Sequence, residues 1–458
     1  MIKVSIQGLG YVGSAMAVAL ASSSKKNKPI FDVTGIDLNN SSGRDKIRKI
    51  NKSIFPFSSN DTSIKKLLNK IKKYKNLKAT HSKESYNKSN VILVSSGFGQ
   101  LDKNNFFSDL KIFKRNFFQI LTKITEETLI VVETTLLPGT IEKIIYPQMK
   151  IFLTKRGINH NKIYLAYSYE RIMPGKNYIK SIKDYWRVYS GINNKSSKKC
   201  EKFLKTFINT KKFPLTKLDN ITSAELSKIL ENSYRAVNIA FIEEWSKFAE
   251  KINVDLFKVI EAIRKRPSHS NIRNPGFGVG GYCLTKDPLF GKVSLKKIYK
   301  TSDVKFLFSE MATNVNKNSA KRPLKIIKNY FKNRIKDKSI LLLGATYRED
   351  IGDTRLSPSE TFYKSAKLEG AKIAVHDPMI KSWDEVHTKI YNIIPKFKRF
   401  DLIFFAVKHK DYQNINFRKS FFKKNALIFD ANNVLSKHQI HQIKKNDINF
   451  LSIGRGKL

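Results

Sequence analysis

Cysteine is scarce in this chain: 458 residues contain two, Cys200 and Cys283, 83 positions apart and with no C-x-x-C. That scarcity excludes a disulfide framework and a Cys-rich zinc site, so no metal is expected. Acidic residues are few as well, 38 Asp and Glu against 86 Lys and Arg, and the formal net charge is +48. A field of that sign attracts polyanions. The basic residues are nevertheless scattered, as in Lys25-Lys26, Lys72-Lys73, Lys198-Lys199 and Lys444-Lys445, with no single basic tail. Aromatic-basic RNA motifs, zinc spacings and helix-turn-helix signals are all lacking, which argues against a nucleic-acid partner. No apolar run approaches the roughly 18 residues of a membrane span. The chain opens on an alternating strand, Ile2-Lys3-Val4-Ser5-Ile6, where a targeting segment would place a charged region before an apolar stretch. A cytoplasmic protein with no membrane partner is the expectation.

What is present is a globular composition, 41% hydrophobic and 11% aromatic. At about 150 residues per domain the length suggests three units, or two large ones with a connector. Short apolar strands at Val33–Ile36, Val91–Ser95 and Leu129–Glu133 alternate with helical stretches, and strand-like segments follow at Ile163–Tyr167 and Arg187–Ser190. This alternation argues a parallel sheet with crossover helices. From Ile221 to about Lys251 runs one long helical pattern without Pro or Gly. Thr222 and Glu225 at its start predict a capping box. A second α/β pattern comprises Ser339–Leu343, Lys372–Val375, Leu402–Val407 and Leu427–Phe429, with Ser357-Pro358-Ser359-Glu360 as another helix start. The fold class expected is α/β: two Rossmann-like doubly wound domains, 1–212 and 326–458, joined by a central long-helix domain, 213–325.

Gly8-Leu9-Gly10-Tyr11-Val12-Gly13 follows the first strand and opens a helix. In such a loop the first glycine makes the turn, the second admits a pyrophosphate to the backbone, and the third lets helix and strand pack closely. The next strand ends in Asp37, twenty-four residues beyond Gly13. A carboxylate there accepts hydrogen bonds from adenosine ribose hydroxyls and repels a 2′-phosphate, which predicts NAD over NADP. The second α/β pattern has no comparable loop after Leu343, so it holds a different nucleotide or none.

Phe277-Gly278-Val279-Gly280-Gly281-Tyr282-Cys283-Leu284-Thr285-Lys286-Asp287 is the most informative segment. Glycines beside a thiol suggest backbone passing close to a substrate, and Asp287 stands one helical turn from Cys283. Cys200, on a lysine-rich helix, fits the ordinary reading of a buried small hydrophobe. Cys283 fits a nucleophile better.

On these motifs the chain resembles the nucleotide-sugar 6-dehydrogenases, the UDP-glucose and UDP-N-acetylhexosamine enzymes, over nearly its whole length. The resemblance implies an N-terminal NAD-binding domain, a central helix that forms a homodimer core, and a C-terminal domain holding the UDP moiety. It also implies oxidation of the sugar C6 alcohol to a carboxylate with two NAD. Gly8, Gly10, Tyr11, Val12, Gly13 and Asp37 would bind the cofactor. Glu133-Thr134-Thr135-Leu136-Leu137-Pro138-Gly139 is similar to the family's Ser-Thr-x-x-x-Gly stretch and makes Thr135 the hydroxyl at the catalytic water and cofactor. Tyr167-Ser168-Tyr169-Glu170-Arg171 is similar to the Pro-Glu segment, with Glu170 as catalytic carboxylate and Tyr169 in place of the usual proline. Glu225-x-x-Lys228-x-x-x-Asn232 matches the long helix. Gly352-Asp353-Thr354-Arg355 resembles the Asp-x-Arg segment, whose arginine reaches the active site and nucleotide. Arg348 stands where many members have lysine. Substrate contacts are thereby expected from Glu170, Arg171, Lys228, Asn232, Phe277, Gly280, Gly281 and Arg348.

In the mechanism this implies, the Cys283 thiolate adds to an aldehyde, a second oxidation yields a thioester, and water releases the carboxylate. Lys228 and Asn232 would steady the oxyanion, and Asp287, with Thr135 and Glu170, would activate the water. The Glu170-Arg171-Ile172-Met173-Pro174-Gly175 run resembles the N-acetylhexosamine branch, which favours UDP-N-acetylglucosamine or its manno epimer, with UDP-glucose as the alternative. A two-electron hydroxyacid dehydrogenase would not need Cys283 or a second α/β domain. A basic nucleic-acid-binding protein would show steep salt dependence and form no NADH.

Overall fold

The computed structural model describes residues 1–96, 106–172 and 174–456. The chain forms two compact units, residues 1–230 with 290–305, and residues 231–289 with 306–458.

The first unit is built on an eight-stranded sheet. Its strands are β1 (Ile2–Gln7), β2 (Phe31–Ile36), β3 (Leu77–Thr80), β4 (Val91–Val94), β5 (Leu129–Val132), β6 (Tyr164–Tyr167), β7 (Arg187–Gly191) and β8 (Leu215–Lys217), in the order β8-β7-β6-β5-β4-β1-β2-β3. All pairs are parallel except β6 with β7. Both faces are covered, so the central strands β4 and β5 are apolar at every position rather than at alternate ones. In β4, Val91 and Leu93 enter one core while Ile92 and Val94 enter the other. The order reverses between β1 and β4, and the carboxyl ends of these strands form the crevice where doubly wound sheets bind ligands.

The second unit carries a five-stranded parallel sheet of β9 (Ser339–Leu343), β10 (Lys372–His376), β11 (Leu402–Phe405), β12 (Leu427–Asp430) and β13 (Asn449–Ser452), ordered β10-β9-β11-β12-β13. Its switch point lies between β9 and β11. Leu402 and Phe404 face one core, Ile403 and Phe405 the other. The α/β, doubly wound expectation holds in both units.

The long helix runs Ile221–Lys251, and its start corrects the expected capping box. Asn220 is the cap, its Oδ1 accepting from Ser223 N at 2.7 Å. Thr222 donates instead to Glu142. Glu225 accepts from the backbone of Gly139 (2.6 Å) and Ile141 (3.1 Å), where it satisfies the start of the 140–145 helical turn. By contrast, Ser357 caps the helix Pro358–Leu368 as its sequence predicts. Among the described residues no helix is long and apolar enough to cross a membrane.

Candidate active site

In the first unit the loop after β1 has the tightness its glycines imply. Gly8 has φ +91°, and a Cβ on Gly13 would stand 1.8 Å from the Gly8 carbonyl oxygen. A Cβ on Gly10 would meet nothing within 4 Å. The first and third glycines are thus required by the protein's own packing, while the second leaves open space at the amino end of the helix Tyr11–Ala21, where a phosphate is favoured. Tyr11 stacks on Phe57 at 4.0 Å and its carbonyl accepts from the Tyr178 hydroxyl at 2.6 Å, while Val12 packs on the core.

Asp37 stands at the end of β2. Its Oδ2 accepts from Leu9 N (2.9 Å) and from Lys46 Nζ (2.6 Å), and its Oδ1 from Leu38 N (2.7 Å). Lys46 escaped the sequence reading because nothing local marks which lysine of a basic helix turns toward the strand end. These residues fit an adenosine ribose beside a pyrophosphate, and they fit NAD.

Farther along the same sheet edge, Glu133 follows β5 and is buried. It accepts from Ser95 Oγ at 2.8 Å and from Arg187 Nη1 at 3.0 Å, and Arg187 also donates to the Ser168 carbonyl at 3.1 Å. Burial pushes the Glu133 carboxyl up to about 6 despite the Arg187 charge. Thr135, two residues on, is half-buried. Tyr169, where the family pattern has proline, is buried and acts as a platform. Lys228 Nζ lies 5.1 Å from its ring centre and the Arg171 guanidinium 5.5 Å, while Arg171 Nη2 donates to its hydroxyl at 3.2 Å. Lys228 Nζ also donates to the Glu170 carbonyl at 3.2 Å, and the Glu170 carboxylate accepts from Ile172 N. The structure therefore brings Glu170, Arg171 and Lys228 together around a residue the sequence reading treated only as a departure. Met173 lies outside the described residues.

In the second unit Cys283 is exposed, one residue into the short helix Tyr282–Lys286. Asp287 is buried at its end, with Oδ2 accepting from Asn232 Nδ2 (2.8 Å) and Oδ1 from Lys286 Nζ (2.9 Å). Lys286 is a second residue the sequence reading missed, although it stands in the quoted motif. Gly280 and Gly281 are glycine because Tyr347 occupies the adjacent space. A Cβ on Gly280 would lie 2.4 Å from Tyr347 Cβ, and one on Gly281 would lie 3.0 Å from its ring. Burial raises the Tyr347 phenol. Arg355 accepts from Gly281 N through its carbonyl (3.1 Å), holds its guanidinium 4.5 Å from the Tyr282 ring centre, and donates twice to Asp353, at 2.7 Å each. Arg348 is partly exposed beside Glu349. Phe277 is turned into the core, edge-on to Phe404 at 5.4 Å, so its side chain is a packing element.

The loop after β9 mirrors the cofactor loop and departs from it. Gly344 has φ +107°, and Asp377 at the end of β10 accepts from Ala345 N at 2.8 Å, just as Asp37 accepts from Leu9 N. Asp377 is fully enclosed, however, bonded also to Thr346 and His409.

Models of one family match three successive stretches. These are its NAD binding domain at residues 2–208, its central domain at 222–318 and its UDP binding domain at 341–437. The chain belongs to the UDP-glucose/GDP-mannose dehydrogenase family. It is an NAD-dependent oxidoreductase. A UDP-N-acetyl-D-mannosamine dehydrogenase of Methanococcus maripaludis is 30% identical over 385 residues, 82% of this chain and 79% of that one. Another, from Methanococcus vannielii, is 28% identical over 95% of this chain and 93% of its own. The solved UDP-D-ManNAc dehydrogenase of Pyrococcus horikoshii superimposes with a TM-score of 0.82 at 25% identity, covering 100% of both chains. In this dehydrogenase the NAD-binding model spans the Gly8 loop and Asp37, and the UDP-binding model spans Gly344 to Lys437.

Proposed function

We propose that the chain oxidises the C6 alcohol of a UDP-N-acetylhexosamine, UDP-N-acetyl-D-mannosamine or its gluco epimer, to the carboxylate. The carrying observation is the near full-length similarity to relatives named for UDP-N-acetyl-D-mannosamine. Gly8, Gly10, Tyr11, Val12, Gly13 and Asp37 would hold NAD, which would supply the two-electron oxidant for each of two oxidations.

Cys283 is the nucleophile. Its exposed thiolate adds to the aldehyde carbon, the resulting thiohemiacetal is oxidised to a thioester, and water cleaves the C–S bond to leave the carboxylate and free thiol. Lys228 and Asn232 donate to the oxyanion that forms in addition and hydrolysis. Asn232 is aimed by its bond to Asp287. Asp287, Glu170 and Thr135 orient water and take its proton. Arg348 serves the nucleotide, and Arg355, clamped by Asp353, braces the Cys283 helix through Tyr282 and Gly281 as well as meeting the cofactor. Arg171, tied to Tyr169 and the Trp186 carbonyl, sets the shape of the segment that discriminates the 2-acetamido group.

The enzyme works as a homodimer. Tyr234, Phe241, Trp245, Phe248 and Ile252 form an exposed apolar stripe on the long helix, and Leu307, Phe308 and Met311 are exposed on the helix Leu307–Ser319. Apolar surface of this extent marks an association face. Monomeric mass by light scattering at micromolar concentration would contradict it.

The test of the activity is a panel of UDP-N-acetylmannosamine, UDP-N-acetylglucosamine and UDP-glucose, with NADH counted per sugar. Two NADH and a higher kcat/KM for an acetamido sugar are expected. A preference for UDP-glucose overturns the substrate assignment, and one NADH per sugar overturns the four-electron reaction.

A further inference from the structure

In the first unit the carboxyl ends of three neighbouring strands, β4, β5 and β6, meet at one buried ion pair. β6 and β7 run antiparallel, so Arg187, the first residue of β7, stands at the carboxyl end of β6. Its side chain is 3% exposed, and that of Glu133, just past β5, is 1% exposed. Arg187 Nη1 donates to Glu133 Oε1 at 3.0 Å and to the carbonyl oxygen of Ser168, just past β6, at 3.1 Å. Glu133 Oε2 accepts from Ser95 Oγ, just past β4, at 2.8 Å. Arg187 Nη2 lies 3.7 Å from Met16 Sδ, on the helix Tyr11–Ala21 that the glycine loop opens. Thr135 follows Glu133 by two residues, and Glu170 follows Ser168 by two. At about 3.5 Å per residue, each stands within about 7 Å of a residue that the guanidinium holds. Burial raises the Glu133 carboxyl, the Arg187 charge opposes it, and the Glu170 charge adds to the rise, so the two carboxylates are close enough to act on each other.

We propose that Arg187 and Glu133 are positioning residues for the last step of the reaction: their ion pair sets the spacing of Thr135 and Glu170, the groups that present water to the thioester. The proposal rests on the four-electron reading above. In that step the water oxygen bonds to the acyl carbon, the C–S bond breaks, sulfur leaves as thiolate, and a water proton passes to a carboxylate. A buried ion pair adds little stability over apolar side chains of the same volume, so stability does not explain this one. What a planar guanidinium supplies is geometry, because its rigid fork holds acceptors on two chain segments at fixed separation. A change of about 1 Å in such a spacing costs about 100-fold in rate.

The experiment takes the full chain with NAD and whichever sugar of the panel wild type turns over fastest. It reads the NADH burst, steady-state kcat and KM, the mass of the acid-quenched chain, and thermal unfolding. The double variant Glu133→Leu with Arg187→Met replaces the pair by apolar side chains of similar size, so its melting temperature is expected near that of wild type. It is expected to form two NADH per chain in a burst and then to turn over about 100-fold more slowly at little-changed KM, with an acyl adduct on Cys283 in the quenched chain. Lost stability alone lowers burst and steady state together and leaves no adduct, and that result overturns the proposal. Arg187→Lys keeps the buried charge and decides the matter if the double variant does not fold: turnover about tenfold slower, as for loss of one hydrogen bond, with the same adduct, is expected. Glu133→Gln still accepts from Arg187 and still pairs with Ser95, and is expected to bring kcat back to within about fivefold of wild type. A loss in Glu133→Gln as large as in the double variant assigns the effect to charge and overturns the positioning role, as does wild-type kcat in Arg187→Lys or in the double variant. Wild type that forms one NADH per sugar overturns the functional reading and this proposal together, whereas two NADH from wild type with an unaltered double variant overturns this proposal alone.

Discussion

Gly281→Ala is the sharpest probe of how the thiol is placed. Gly281 has φ +74° and ψ 170°, a region open essentially to glycine alone, and a side chain held there costs about 1–3 kcal/mol. The added methyl would also stand 3.0 Å from two carbons of the Tyr347 ring. That ring is half-buried, and its own backbone is pinned by Tyr347 N donating to the Asp353 carbonyl at 3.0 Å, so it yields by moving its loop. Relief by moving Gly281 instead breaks its N–H bond to the Arg355 carbonyl, about 1 kcal/mol. The sum is about 2–4 kcal/mol. Taken wholly in the placement of Cys283 it lowers kcat about 30- to 1000-fold, and taken wholly in stability it lowers the melting temperature by several degrees. NADH production and thermal unfolding measured on one preparation separate the two. Tyr347→Ala in the same chain is expected to restore the part due to contact and to leave the part due to φ. A Gly281→Ala enzyme with wild-type kcat and wild-type Tm would refute the packing argument.

Gly10→Ala is expected to behave oppositely, with stability unchanged and the KM for NAD raised at least tenfold, because its methyl meets no protein atom but stands where a pyrophosphate approaches; kinetics with varied NAD check this. Cys200 is buried, and burial pushes its thiol up to about 12, so iodoacetamide at pH 8 is expected to modify Cys283 alone in the native chain, one adduct by mass. Cys283→Ser should abolish formation of the second NADH while Cys200→Ser should retain it, and full turnover to the acid by Cys283→Ser would remove the covalent mechanism. Glu133, raised from 4.5 to about 6 by burial, favours the folded state most when protonated. That contribution is present below about pH 4.5 and is lost as pH rises through 6, about 2 kcal/mol, so the stability of wild type relative to Glu133→Gln in urea unfolding should fall by that amount between pH 4.5 and 7.

Much of the architecture could be read from the chain because parallel sheets buried on both faces leave unbroken apolar runs, as in Val91–Val94 and Leu402–Phe405. The Gly8 loop was legible for a similar reason, since Gly13 answers to the Gly8 carbonyl only five residues away. What the sequence concealed are meetings between distant segments. Glu225 looked like the partner of Thr222 three residues away and instead caps backbone 84 and 86 residues away. Tyr347 sets the glycines at 280 and 281 from a different loop. Phe277 was expected among the substrate contacts from the family resemblance; neighbours in sequence do not tell which way a ring turns, and this one fills the core beside Phe404.

Lys228 and Lys286, the buried lysines among the described residues, differ in a way that bears on which of them would meet developing negative charge. Lys286 is held 2.9 Å from the Asp287 carboxylate, so its field is largely cancelled at the place where it arises. Its effect is to fix Asp287, and through it Asn232. Lys228 is 9% exposed and its neighbours are the Glu170 carbonyl and the face of Tyr169. Both are attractive to a cation and neither carries a formal charge. A carbonyl and a ring hold an ammonium in place without pairing it to a formal negative charge, as the oxyanion role proposed for Lys228 requires. Proline at position 169 could supply no such ring. Tyrosine there is therefore a compensating choice: the turn before Glu170 does without a stiff residue, and Lys228, the cation proposed for the oxyanion, gains a rigid, uncharged support.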